Sequence, residues 1–147
     1  SMRRVYLMSF KPLFAFQVVR GEKGYELRRR ASVEEGARIL VYASSPVKAI
    51  VGEFKAGRIK RASPDEVEEL VLSGALRGCD ERDLPYVRGK SWVAIIEVAS
   101  PIEYARQLSL RRIREVAPWF RPPISFYELK PLEKWKWLLK EVEKLLK

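Results

Sequence analysis

Lys23, Glu26 and Arg28 fall within one short stretch, GEKGYELRRR, residues 21–30. A strand running from Lys23 to Arg29 sends successive side chains to opposite faces. Tyr25 and Leu27 then share the core face, while Glu26, Arg28 and Arg30 share the other. A carboxylate held among arginines orients their guanidinium forks and makes a poor general acid. Lys23 follows the turn at Gly21, where its ammonium can swing over the same face. As a bare surface ladder such ion pairs are worth about 0–1 kcal/mol. As the floor of a cleft they form an anion site. Lys23 and Glu26 are the candidates for proton transfer, if the site is catalytic.

Three other segments carry compatible chemistry. SFKP places Lys11 at a strand-to-helix turn, beside the free N–H groups of a helix start, which attract anions. YASSP puts the hydroxyls of Ser44 and Ser45 at the end of an apolar strand. PWFRPPISF sets Trp119, Arg121 and Ser125 in a proline-stiffened loop. Arginine beside aromatic rings stacks and neutralises single-stranded nucleic acid. The same aromatic residues also build cores.

Composition removes whole classes of chemistry. The chain has 147 residues, one cysteine and no histidine, threonine or asparagine. Ser-His-Asp and Cys-His catalysis, histidine-ligated zinc and threonine nucleophiles are therefore excluded. No metal site and no cofactor is expected. A lone Cys79 forms no internal disulfide and fits a reducing, cytoplasmic compartment. No apolar run approaches the ~20 residues of a membrane-spanning helix. Abundant Arg, Lys and Glu suggest a thermophile. Ser1 before Met2 reads as an expression scar.

The net charge of +10 is unevenly spread. Residues 3–30 hold eight Lys/Arg against two Glu, and residues 106–121 hold five Arg against Glu115. If these two segments flank one concave surface, the field suits a polyanion. The expected partner is RNA, with monomer as the default oligomeric state.

Positioning these groups requires an α+β fold. Apolar runs and breakers predict strands over 5–8, 23–29, 39–42, 47–60 and 91–99, with Gly52 and Gly57 marking a bulge or bend in the fourth. Helices are expected from Pro12 to before Gly21, and from Pro64 to before Gly74 with Ser63 as N-cap. GCDERDLPYVRG has room for a helical turn. Ser109 caps a short basic helix. From Pro131, the stripe Leu132, Trp135, Leu139, Val142 and Leu146 predicts an amphipathic helix packed on the rest. Sequential strands with few crossover helices suggest a small mixed or antiparallel β-barrel.

SFKP, a helix, and then Gly21-x-Lys23-x-x-Glu26-x-Arg28 resemble the G-x-K-x-x-E-x-R signature of the ASCH domain, a PUA-like β-barrel. ILVYASSPVKAIVGEF and PPISFYEL are similar to its archaeal branch. The resemblance implies an ASCH/PUA-like domain over residues 2–129, with residues 130–147 as an added C-terminal helix. It implies a basic cleft lined by Lys11, Lys23, Glu26 and Arg28, and a role in RNA binding, processing or regulation. Some family members are ribonucleases. Others are amidohydrolases whose threonine, lysine and glutamate set is not matched here. The leading expectation is an RNA-binding module. The alternatives are an enzyme acting on RNA or a modified nucleoside through Lys23 and Glu26, and a regulator that binds a small ligand.

Overall fold

The computed structural model describes residues 3–146. Ser1, read as an expression scar, lies outside the described residues. Six strands form one curled, half-barrel sheet: β1 Val5–Phe10, β2 Tyr25–Arg29, β3 Arg38–Ala43, β4 Ala49–Ala62, β5 Val93–Ser109 and β6 Phe126–Glu128. Their spatial order is β2-β5-β4-β3-β1-β6. β1 runs parallel to β3, and every other pair is antiparallel. Four α-helices flank the sheet: α1 Pro12–Val19, α2 Pro64–Leu72, α3 Leu110–Val116 and α4 Glu133–Leu145. The architecture is the expected α+β, mixed-sheet one.

Residues 39–43 of β3 are continuously apolar because both faces of the sheet are covered there. In β3, Ile39, Val41 and Ala43 join Met8, Phe54 and Ile96 on the face under α1. Leu40 and Tyr42 point the other way, to Leu7, Ile50 and Phe120 beneath α3 and α4. A third cluster, with Leu27, Val67, Val71 and Leu84, packs α2 against β2 and β5. Leu27 thus anchors β2 from one side, and Glu26 and Arg28 are left on the other.

Local signals explain the element ends. Pro12 opens α1 directly after Lys11. Ser63 Oγ accepts from the Glu66 N–H at 3.2 Å and caps α2. The Glu66 carboxylate pairs with Lys60 Nζ at 2.7 Å. β4 shifts register around Gly52 and again between Ala56 and Ile59, at the two glycines that marked a bend. A side chain at Gly52 would strike the Ile102 carbonyl and Val19.

Two expectations need correction. The strand expected to end at Ala99 continues to Ser109. Ser100 and Pro101 stand opposite the single residue Phe54, with Ser100 at φ 48°, so the Ser-Pro pair forms a bulge and does not end the strand. In α4, the buried set is Trp135, Leu138, Val142 and Leu145. Leu132 is 50% and Leu146 36% exposed, so the inward stripe is rotated from the one expected. Its inward residues belong to the cluster under the sheet, each worth about 1.5–3 kcal/mol when fully buried.

Candidate functional site

β2, the end of β1, the start of α1 and the loop 122–125 surround an open cleft of about 530 Å³. Its floor is organised by Arg28, whose guanidinium joins three segments. Nε donates to Glu26 Oε2 at 2.5 Å, and Nη2 to the Ser9 carbonyl at 2.5 Å. Nη1 donates to both the carbonyl and Oγ of Ser125 at 3.1 Å. The guanidinium also lies 4.7 Å from the centroid of the Phe10 ring. Most Arg28 donors are therefore spent inside the protein. Its role in this geometry is to hold the floor together, with Glu26 fixing its orientation as expected.

The cations with open faces are Lys11, Arg29 and Arg30, all on the cleft wall. None has an ion-pair partner among the described residues. Lys11 Nζ rests 5.3 Å from the Tyr86 ring centroid, which pre-positions it beside the opening. Arg30 follows the last residue of β2 in the left-handed region at φ 53°, and its side chain lines the cleft.

Lys23 sits differently from its expected pose. It is 1% exposed, its ammonium paired with Asp83 and 4.6 Å from the Phe14 centroid. The turn after Gly21 directs it inward because Glu22 and Lys23 N–H groups both bond the Gln17 carbonyl at the end of α1. Asp83 is held in turn by a capping box with Asp80 that opens the 3-10 turn Glu81–Tyr86. Lys23 thus stands behind the cleft and fastens its wall. Asp83 and Tyr86 were missed in the sequence. The Asp80–Asp83 spacing is a helix-start signal, but nothing local ties it to a lysine 60 residues away.

Ser44 and Ser45 line a second groove that shares Ser9, Phe10, Lys11 and Ile124 with the cleft, so the two adjoin. Tyr42 and Lys48 complete its wall. Burial pushes the Tyr42 hydroxyl above its ordinary pKa, opposed by Arg114. Ile124 is fully exposed on the ridge common to both grooves.

Trp119 and Arg121 are placed elsewhere, in a groove against α4 that shares no residue with the cleft. The second basic segment follows them. No residue of 106–121 lines the cleft; Leu110 alone reaches the adjoining groove. Arg112 pairs with Glu115 and lies over Trp137, and Arg114 donates to the Phe120 carbonyl. The cause is α3, whose Ile113 packs into the cluster beneath α4 and carries its arginines to that side.

A buried network also went unforeseen. Arg38 is bidentate to Glu53 at 2.8 and 2.7 Å, Tyr104 donates to Glu53 at 2.5 Å, and Arg38 reaches Glu143 of α4 at 2.7 Å. Burial, with Glu53 beside it, pushes the Tyr104 hydroxyl up and keeps it a donor. Among the described residues no group of three or more His, Cys, Asp or Glu is placed to hold a metal, and no helix is long and apolar enough to cross a membrane.

No family model matches the chain. It is 28% identical over 139 residues to an ASCH domain-containing ribonuclease of Zymomonas mobilis, covering 89% of this chain and 88% of that protein. The crystal structure of ASCH from Zymomonas mobilis superimposes with a TM-score of 0.80 at 26% identity, over 95% of this chain and 96% of that one. The N-terminal domain of Staphylothermus marinus McrB shares the fold alone, with a TM-score of 0.58 at 12% identity over 99% and 94%. With the Lys23, Glu26 and Arg28 signature on this half-barrel, and with these relatives, the chain is similar to ASCH domain proteins and shares their fold.

Proposed function

We propose that this protein binds RNA in the cleft between β2 and the loop 122–125. The observation that carries the proposal is the division of labour among its cations. Arg28 is neutralised by Glu26 and consumed in holding the floor, while Lys11, Arg29 and Arg30 line the opening with no acidic partner. A concave surface lined by one sign of charge concentrates an anionic ligand. The adjoining groove, with Ser44, Ser45 and Lys48, extends the path for a strand and offers hydroxyls to sugar or phosphate. A bound strand would cross the Ile124 ridge between the two. The test is fluorescence anisotropy with a labelled mixed-sequence single-stranded RNA at low salt. Binding that weakens steeply with salt supports the reading, and no binding at low salt rejects it.

A second reading, RNA cleavage, is favoured by the ribonuclease relative and its coverage. Without histidine, attack by a ribose 2′-hydroxyl would rely on Glu26 to take its proton and on Lys11 and Arg30 to offset charge developing on the phosphate, while the P–O5′ bond breaks to leave a 2′,3′-cyclic phosphate and the departing 5′-oxygen takes a proton from water. The same RNA is followed on a gel in parallel. Under this reading Glu26→Gln keeps binding and loses turnover by about 10²–10⁴-fold. Turnover that survives this change excludes Glu26 as the base.

A further inference from the structure

Against α4 lies a groove of about 380 Å³, separate from the cleft. Its wall is aromatic. Trp119 is 50% exposed and meets Trp135 edge-on at 5.5 Å between centroids, and Tyr127 continues the wall at 5.7 Å from Trp135. Half-exposure of so large a ring, on a wall otherwise packed into the core, leaves flat apolar surface open to a ligand. The Tyr127 hydroxyl donates to the Arg121 carbonyl at 2.6 Å, which pins the loop carrying both Trp119 and Arg121.

The rim decides what that face would accept. Arg121, Lys130 and Lys134 line it against one carboxylate, Glu128, which Arg4 already engages at 3.2 Å. Lys134 Nζ lies 5.5 Å from the Trp119 centroid and 5.3 Å from that of Trp135, so a cation is already seated on the rings. Three aromatic rings alone would suit a quaternary ammonium, but this rim repels one. A planar base with a phosphate attached satisfies both halves of the groove.

We infer that this groove is a second nucleic-acid site, which stacks an unpaired base on Trp119 and holds the adjoining phosphate with Arg121 and Lys130. It stands on its own residues and does not require the cleft to bind RNA.

The test is tryptophan fluorescence on titration with a short 5′-phosphorylated oligouridylate at low salt. The expected result is quenching in the parent protein, with affinity reduced about five- to hundredfold in Trp119→Ala and largely retained in Trp119→Phe. Because Trp119 is half-exposed, Trp119→Ala is expected to fold. If it does not, the charge-reversed pair Arg121→Glu with Lys130→Glu takes its place and should abolish the quenching. A cleft variant, Lys11→Ala with Arg30→Gln, should leave it intact, so failure of the cleft and failure of the groove are told apart. Absence of quenching, or quenching equal in parent and Trp119→Ala, overturns the inference. A trimethyllysine peptide that quenches through Trp119 where the oligouridylate does not also overturns it, in favour of a cation cage.

Discussion

Arg38–Glu53 and Arg28–Glu26 are the same chemical pair in two settings. Their burial is similar, with side chains 9% and 7% exposed in the first and 14% and 9% in the second. What differs is the next layer. Tyr104 closes over Glu53 and Glu143 of α4 meets Arg38, so every side of that pair is met by protein. Around Arg28 the further partners are the Ser9 and Ser125 carbonyls, and the guanidinium borders an open cleft. Depth of burial does not separate a fastening from a site. The surroundings of the pair do.

The largest effect belongs to the closed pair. Arg38→Met leaves Glu53 buried with only Tyr104 as partner, and should cost about 3–5 kcal/mol in a urea unfolding curve. RNA affinity per folded molecule should not change. Asp83→Asn falls in the same range, because it strands the Lys23 ammonium. It should also weaken RNA binding, since Asp83 and Tyr86 belong to the cleft wall. An Asp83→Asn protein with unaltered affinity would show that the wall does not shape the site.

Arg28→Ala is intermediate. It removes charge-assisted hydrogen bonds to three segments and should cost about 1.5–3 kcal/mol. RNA affinity should fall with it, through loss of the floor as much as loss of charge. Lys11→Ala and Arg30→Gln should stay within about 0.5 kcal/mol of the parent in stability, as exposed substitutions do. Their effect is reserved for RNA.

The smallest effect is a probe of how closed the wall behind Glu26 is. Burial pushes the Cys79 thiol from 9.0 up to about 11, with Lys23 opposing and Glu26 reinforcing. The neutral thiol is what the folded state favours. Its contribution is present below pH 9.0 and is lost as pH rises toward about 11, because the unfolded chain ionises first. A pH series of unfolding midpoints should decline over that window, and less steeply in Cys79→Ala. Alkylation of Cys79 in the folded protein at pH 8 should be slow.

Much of this was legible along the chain. Ser63, Pro64 and Gly74 bracket α2 with local chemistry alone, and the alternation in YELRRR places Leu27 inward and Glu26 and Arg28 together. Lys11, Glu26, Arg28, Arg30 and Ser125 are legible as candidates in the sequence, and the structure brings all five to one cleft. Other features were hidden by distance. Lys23 and Asp83 are 60 residues apart, and the turn that points the lysine inward depends on where α1 ends. Ser100–Pro101 reads as a breaker because a bulge is defined by its partner strand. In α4 both Leu138 and Leu139 fit a helical stripe, and docking on the sheet selects Leu138. The arginines of 106–121 add to a net charge, but α3 decides which side they serve.

The central claim is that the open cations of the cleft hold RNA in their own right, apart from the Trp119 groove and from the basic surface at large. It is tested most directly by the salt dependence of binding to a single-stranded RNA in three proteins: the parent, Lys11→Ala with Arg30→Gln, and Arg112→Gln with Lys136→Gln as a control of equal charge away from the cleft. The expected result is a log–log slope that falls by about 0.7 for each phosphate contact removed in the cleft variant. The control should keep the parent slope. Equal loss in both variants, or none in the cleft variant, would contradict the account.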